Sequence, residues 1–169
     1  HIMASKQFTE VVLRGRTEAK RVVEVKAETA GRLVTLRAVK EQQVKAGDVL
    51  CELAENGRRV QLAQAQAAYD KARIDYDGAQ KLKQNALLSD TQMAASKAAL
   101  ETARAALRMA ELEVDHLQIL APFDGVVEDH PFQVGALMER GAICARLMDE
   151  KTMLASAQQV LAIFAVADT

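Results

Sequence analysis

The sequence predicts a mixed fold, mainly β, in which short strands are interrupted by a long antiparallel α-helical coiled-coil hairpin. Three observations carry that expectation: strand-like segments flank the middle of the chain, heptads run through it, and the flanking segments repeat one another in their turn and core positions. The composition agrees. Half of the 169 residues are hydrophobic, yet there is no Trp and aromatics make up only 4%, so large core-filling side chains are scarce. Small modules joined by something extended fit that supply better than one thick core.

Residues 8–53 are rich in β-branched side chains with partial alternation and no helical period, as in Val22-Val23-Glu24-Val25-Lys26 and Arg32-Leu33-Val34-Thr35-Leu36. These are marks of short strands, and Gly15, Gly31, Gly47 and Gly57 punctuate them as turns.

From Asn56 the character changes. The stretch to Leu117 contains no proline and only Gly57 and Gly78, against much Ala, Gln, Lys, Arg and Glu, the strong helix formers. Leu62, Tyr69 and Tyr76 recur every seven residues, with Ala65, Ala72, Ala79 and Ala86 as a companion row. Met93, Leu100, Leu107 and Val114 recur in the same way, with Ala103, Ala110 and Leu117 beside them. Heptads sustained in two arms read as two helices that share an apolar seam. In the connection Asn85-Ala86-Leu87-Leu88-Ser89-Asp90-Thr91-Gln92, Ser89 and Gln92 have the spacing of a capping box that opens the second helix. So short a connection makes the helices antiparallel. At about 1.5 Å per residue each arm reaches roughly 40 Å, so the hairpin is expected to project from the strands around it.

Strand character returns with Gln118-Ile119-Leu120-Ala121-Pro122-Phe123-Asp124-Gly125-Val126-Val127. The last apolar stretch, Met153 to Val166, ends without a stop signal, as expected of a chain that continues into a further module. The opening His1-Ile2-Met3-Ala4-Ser5 reads as a cloning remnant, so residues 1–7 are set apart as tag and tail. Any export signal or anchor is expected to lie outside this sequence.

Formal net charge is −1, which lacks the positive excess that draws a protein to nucleic acid or anionic lipid. No stretch approaches the roughly 20 apolar residues that a membrane helix needs. Cys51 and Cys144 match no zinc or redox spacing, and both lie in apolar runs where a buried thiol acts as a small hydrophobe. A disulfide is the other reading; it fits an oxidising compartment, but the sequence supplies no geometry for it. His116 and His130 lack a third ligand and are expected to be exposed or capping residues. Asp124 sits in a Phe-Asp-Gly turn. No Ser-His-Asp set, paired acid, phosphate loop or metal cluster stands out, so neither an enzyme nor a cofactor site is expected.

The repeat is the most informative feature. Gly31 is followed at +16 by Gly47 and at +22 by Leu53, and Gly125 at the same spacings by Gly141 and Leu147. Val44 matches Met138, and Leu50 matches Cys144; the one departure is Glu41, where the second copy has Gly135. Two such half-motifs, split by an insertion, resemble a biotinyl/lipoyl-like β-sandwich. In carriers of that type a tight turn holds the cofactor-bearing lysine. Here the hairpin replaces that turn, so no covalently attached lipoyl or biotin group is expected.

A lipoyl-like sandwich split by a helical hairpin, with Ala121-Pro122-Phe123-Asp124-Gly125-Val126-Val127 on the return strand, resembles the membrane fusion protein family, also called periplasmic adaptors, of the resistance-nodulation-division efflux type. The resemblance runs from about Val11 to Ala155. It implies a lipoyl-like domain in two halves, 30–55 and 118–147, a hairpin over 56–117, and part of an adjoining β-barrel built from 8–29 and 148–169. It also implies a homo-oligomeric, periplasmic protein, held at the inner membrane in its full-length form, that connects an inner-membrane transporter to an outer-membrane channel for export of small molecules. The hairpin tip meets the channel in such adaptors, which points to Leu82, Asn85, Leu88 and Ser89 as partner-binding residues. Adaptors of this type carry Arg, then Leu four residues on, then Ser seven further. Leu82 and Ser89 match, whereas Gly78 stands at the arginine position and removes a guanidinium that could hold the partner. Two other readings keep the helical hairpin: an adaptor for an ATP-driven exporter or secretion system, and a self-associating coiled-coil scaffold.

Overall fold

A computed structural model describes residues 21–149. Eight strands and two helices follow one another as β1 (Val22–Lys26), β2 (Gly31–Leu36), β3 (Gln43–Val44), β4 (Val49–Leu53), α1 (Arg58–Gln84), α2 (Asp90–Asp115), β5 (Gln118–Leu120), β6 (Gly125–Asp129), β7 (Leu137–Met138) and β8 (Ile143–Asp149). The strands form two four-stranded sheets, in the orders β1-β8-β6-β3 and β5-β4-β2-β7. All of the recorded pairings are antiparallel.

The repeat seen in the sequence is a structural repeat. Replacing each strand by its counterpart in the other half turns one sheet order into the other, so each half contributes two strands to each sheet. Turn hydrogen bonds are duplicated as well. Gly47 N–H donates to Ala121 O and Gly141 N–H to Ala27 O, both at 2.8 Å, while Glu41 N–H reaches Val127 O and Gly135 N–H reaches Leu33 O, both at 2.7 Å. Buried residues come in the same pairs, Leu33 with Val127, Val44 with Met138, Leu50 with Cys144, and Leu53 with Leu147. Glu41, the departure from the pattern, adopts the left-handed backbone of its glycine counterpart, with φ 67° against 95° at Gly135. The hydrogen bonds of the turn impose that conformation on a residue with a Cβ.

Glycine is required at Gly125 for a different reason. A Cβ there would lie 2.3 Å from the carbonyl oxygen of Met148 on the neighbouring strand, so β6 and β8 could not keep their spacing. The Asp124 carboxylate beside it accepts the Ala46 N–H at 2.8 Å and ties a turn of the first half to the second.

The cysteines correct the preferred reading of the sequence. Cys51 on β4 and Cys144 on β8 are joined as a disulfide, with Cα atoms 6.3 Å apart, and the bond links one sheet to the other. Sequence spacing carried no trace of this pairing, because it arises where strands from different halves face each other across the core. The barrel expected from 8–29 and 148–169 lies largely outside the described residues. Within them, Val22–Lys26 is the edge strand of the first sheet and pairs with β8 from Met148 to Ile143.

Candidate partner-binding tip and its base

The helices α1 and α2, 27 and 26 residues long, pack against each other along the predicted seam. Leu100, Leu107 and Ala79 are buried in it, and Leu62, Ala65, Tyr69, Ala72, Tyr76, Met93, Ala103, Ala110 and Val114 are half-buried. Outside the seam the surface carries solvated ion pairs such as Lys71–Asp75, Arg104–Glu101 and Arg108–Glu111. Ala86, the last member of the first alanine row, is a correction. Helix α1 ends at Gln84, and Ala86 is exposed with φ 56°. A heptad count continues past a helix end because it reads spacing, whereas the seam stops where the backbone turns.

At the base, a polar cluster ties the helix pair to the sandwich. The Arg58 guanidinium at the start of α1 donates to Thr29 Oγ1 at 2.9 Å and Ala30 O at 2.7 Å, and its Nε lies 3.4 Å from Glu113 near the end of α2. Thr29 Oγ1 donates in turn to Glu113 Oε2 at 2.9 Å. Thr29 is 3% exposed. Its hydrogen bond, with help from Arg58 and Arg140, holds the Glu113 carboxyl below the ordinary carboxylate range despite partial desolvation. On the same side His116, the C-cap of α2, places Nε2 2.6 Å from Glu28 Oε2. Of the two expectations for this histidine, exposed or capping, it takes the C-cap position through its backbone N–H, while its half-buried side chain faces Glu28. One arginine thus meets the β1–β2 connection and both helices, and so fixes how the pair leaves the sandwich.

The tip is built as tightly. Ser89 is the N-cap of α2, and its hydroxyl accepts the Gln92 N–H while the Gln92 side chain accepts the Ser89 N–H, completing the expected capping box. Asn85 is the C-cap of α1. Beyond it, Ala86 N–H bonds to Lys83 O at 3.0 Å and Leu87 N–H to Leu82 O at 2.8 Å, the paired bonds of a Schellman motif with Ala86 at the position that favours glycine. Lys83 and Asp90 close an ion pair across the turn. Of the residues singled out from the sequence, Leu82 is 44% exposed, Asn85 and Ser89 are exposed caps, and Leu88 is half-buried. All four therefore lie at one end of the helix pair.

Leu87 was not among them, yet it is 71% exposed, more than any other large hydrophobic residue described. No periodic signal could have distinguished it from Leu88, since the choice depends on the left-handed residue before it. At Gly78 an added Cβ would meet nothing within 4 Å, so this glycine serves no close helix contact. Among the described residues no group of three or more His, Cys, Asp or Glu could hold a metal ion, and no helix is long and apolar enough to cross a membrane.

Comparison with known proteins places these features. Residues 21–149 match the family described as RND MFP, barrel-sandwich hybrid domain. The multidrug resistance protein MdtA of Yersinia pestis (strain Pestoides F) is 33% identical over 141 residues, which cover 75% of this chain and 32% of that protein. MdtA of Proteus mirabilis (strain HI4320) is also 33% identical, over 142 residues, covering 76% and 34%. The chain thus spans about a third of the length of the curated relatives it matches. Among solved structures, a candidate efflux transporter from Bacteroides eggerthii has the same fold, with a TM-score of 0.76 and 24% identity over 79% of this chain and 41% of that one. A MacA–MexA chimeric protein containing the Pseudomonas aeruginosa MexA α-hairpin domain superposes with a TM-score of 0.72 and 25% identity, covering 76% and 48%.

Proposed function

The chain belongs to the RND-type membrane fusion protein family, and on that premise we propose that it is a non-enzymatic periplasmic adaptor that links an inner-membrane efflux transporter to an outer-membrane channel. The observation that supports the reading is the helix pair, tied at its base by Arg58 and capped at its tip by Ser89. A projecting arm held at both ends transmits position and provides no chemistry. Its tip offers the channel an apolar surface, Leu82 and Leu88, rimmed by the polar caps Asn85 and Ser89. Leu87 adds to that surface. The absent arginine at Gly78 leaves the apolar part to supply more of the contact, since a hydrogen-bonding fork is missing. The full-length protein is anchored at the inner membrane, assembles from several copies and exports small molecules.

The test is efflux in cells that lack the endogenous protein, comparing the full-length protein with one whose segment 56–117 is replaced by a short turn. Loss of export by a folded, correctly located variant supports the bridge; normal export removes it.

A further inference from the structure

Neither membership of an adaptor family nor the bridging role calls for a covalent bond in the sandwich core, yet Cys51 and Cys144 form one. Their residues are 0% and 1% exposed, inside a single buried cluster with Leu33, Leu50, Leu53, Val127, Met138 and Leu147. Cys51 belongs to the half that precedes the helix pair and Cys144 to the half that follows it. The bond therefore closes a loop that contains the whole helix pair.

Thiol–disulfide exchange needs in-line access of one sulfur to another, so it cannot take place on atoms sealed in a packed core. We infer that Cys51 and Cys144 are an oxidative maturation site, joined by a disulfide-bearing oxidant before the sandwich closes and sealed from reductants afterwards. The step balances without further reagents. One chain thiolate attacks a sulfur of the donor disulfide, which gives a mixed disulfide and releases the donor's first thiolate. The second chain thiolate then attacks the chain sulfur of that mixed disulfide and forms the Cys51–Cys144 bond. The donor leaves as a dithiol carrying the two electrons, and the two thiol protons pass to its thiolates. The chemistry needs a compartment that keeps such donors oxidised. Its product is a sandwich whose halves stay joined whatever load the helix pair bears.

The test counts thiols in the whole chain, produced by export into an oxidising compartment. Thiols are alkylated with a maleimide, in native buffer and in denaturant, with and without dithiothreitol, and read by intact mass. The expected result is no alkylation without reductant in either solvent, and two alkylated thiols after reduction in denaturant. Native reduction should be slower by about a thousandfold or more, the scale set by the population of the open chain. Two alkylated thiols in the denatured, unreduced chain would overturn the site, and native reduction as fast as that in denaturant would overturn the seal. The order is read by adding glutathione disulfide during refolding of the reduced chain or after it. Faster oxidation during refolding is expected, and a reduced chain unable to fold supports the same order, because the bond then precedes the core. Equal rates before and after folding overturn it.

Discussion

The hydroxyl of Thr29 donates a 2.9 Å hydrogen bond to the carboxylate of Glu113, 84 residues later in the chain, where the end of α2 meets the sandwich. Thr29 is the buried polar residue of the described core, and the same hydroxyl accepts from Arg58. A charge-assisted bond of this kind contributes about 1.5–3 kcal/mol. Thr29→Val keeps the shape and removes both bonds. We expect it to lower unfolding stability by about that amount, measured by denaturant titration, with little change in helix content; a stability equal to wild type would show the clamp to be ornamental.

The same carboxylate gives a pH dependence with a defined sign. Glu113 has its folded-state pKa lowered from an ordinary value of 4.5, first by the Thr29 hydrogen bond. A depressed folded value means that its contribution is present above the unfolded value and lost as pH falls through the folded one. Glu113→Gln is therefore expected to be less stable than wild type near neutrality, with the gap closing below about pH 4.5. Because Glu113 is 32% exposed at its side chain, solvent screening keeps the effect modest. A gap constant from pH 7 to pH 3 would contradict this account.

Glu41 and Gly135 make a natural comparison, since both hold positive φ in equivalent turns. Glycine carries no steric penalty there, whereas a residue with a Cβ costs about 1–2 kcal/mol. Glu41→Gly is expected to stabilise the protein by up to about 1 kcal/mol once its extra backbone freedom in the unfolded chain is counted. Gly135→Ala is expected to destabilise it. Thermal unfolding of the two variants side by side would read both signs.

Gly78 and Gly125 should respond to alanine in opposite directions. Gly78 lies in α1 facing open space, so Gly78→Ala should add about 1 kcal/mol through helix propensity alone. In Gly125→Ala the new methyl meets the Met148 carbonyl, and separating β6 from β8 breaks paired strands in the first sheet. We expect a loss of several kcal/mol, in the range seen for severe packing defects, or failure to fold. An alanine tolerated at Gly125 would mean that the two strands can separate cheaply.

At the tip, Leu87 is exposed and contributes little to folding. Leu87→Ser should change stability by less than about 0.5 kcal/mol, as surface substitutions do. On the adaptor reading it lowers efflux by the full-length protein while expression and folding stay normal, and Leu82→Ser does the same. Unchanged export in both variants would place the contact elsewhere on the helix pair.

Much of this architecture is written in spacing. Heptads from Leu62 to Val114, the Ser89 and Gln92 capping box, and the matched positions of Gly31 with Gly125 and Gly47 with Gly141 depend on neighbours close in sequence or on a repeated interval. Each survives as a one-dimensional pattern, so the helix pair, its direction and the two half-sandwiches are legible in the sequence. What the spacing left open was decided where separate segments meet. The Cys51–Cys144 bond, the Thr29–Arg58–Glu113 clamp and the 2.3 Å approach that forbids a side chain at Gly125 each join residues far apart in sequence. Exposure of Leu87 in place of Leu88 turned on one left-handed residue, Ala86. Periodicity reports which face of an element is apolar; which partner that face finds, and where the element stops, is settled by packing and hydrogen bonding in three dimensions.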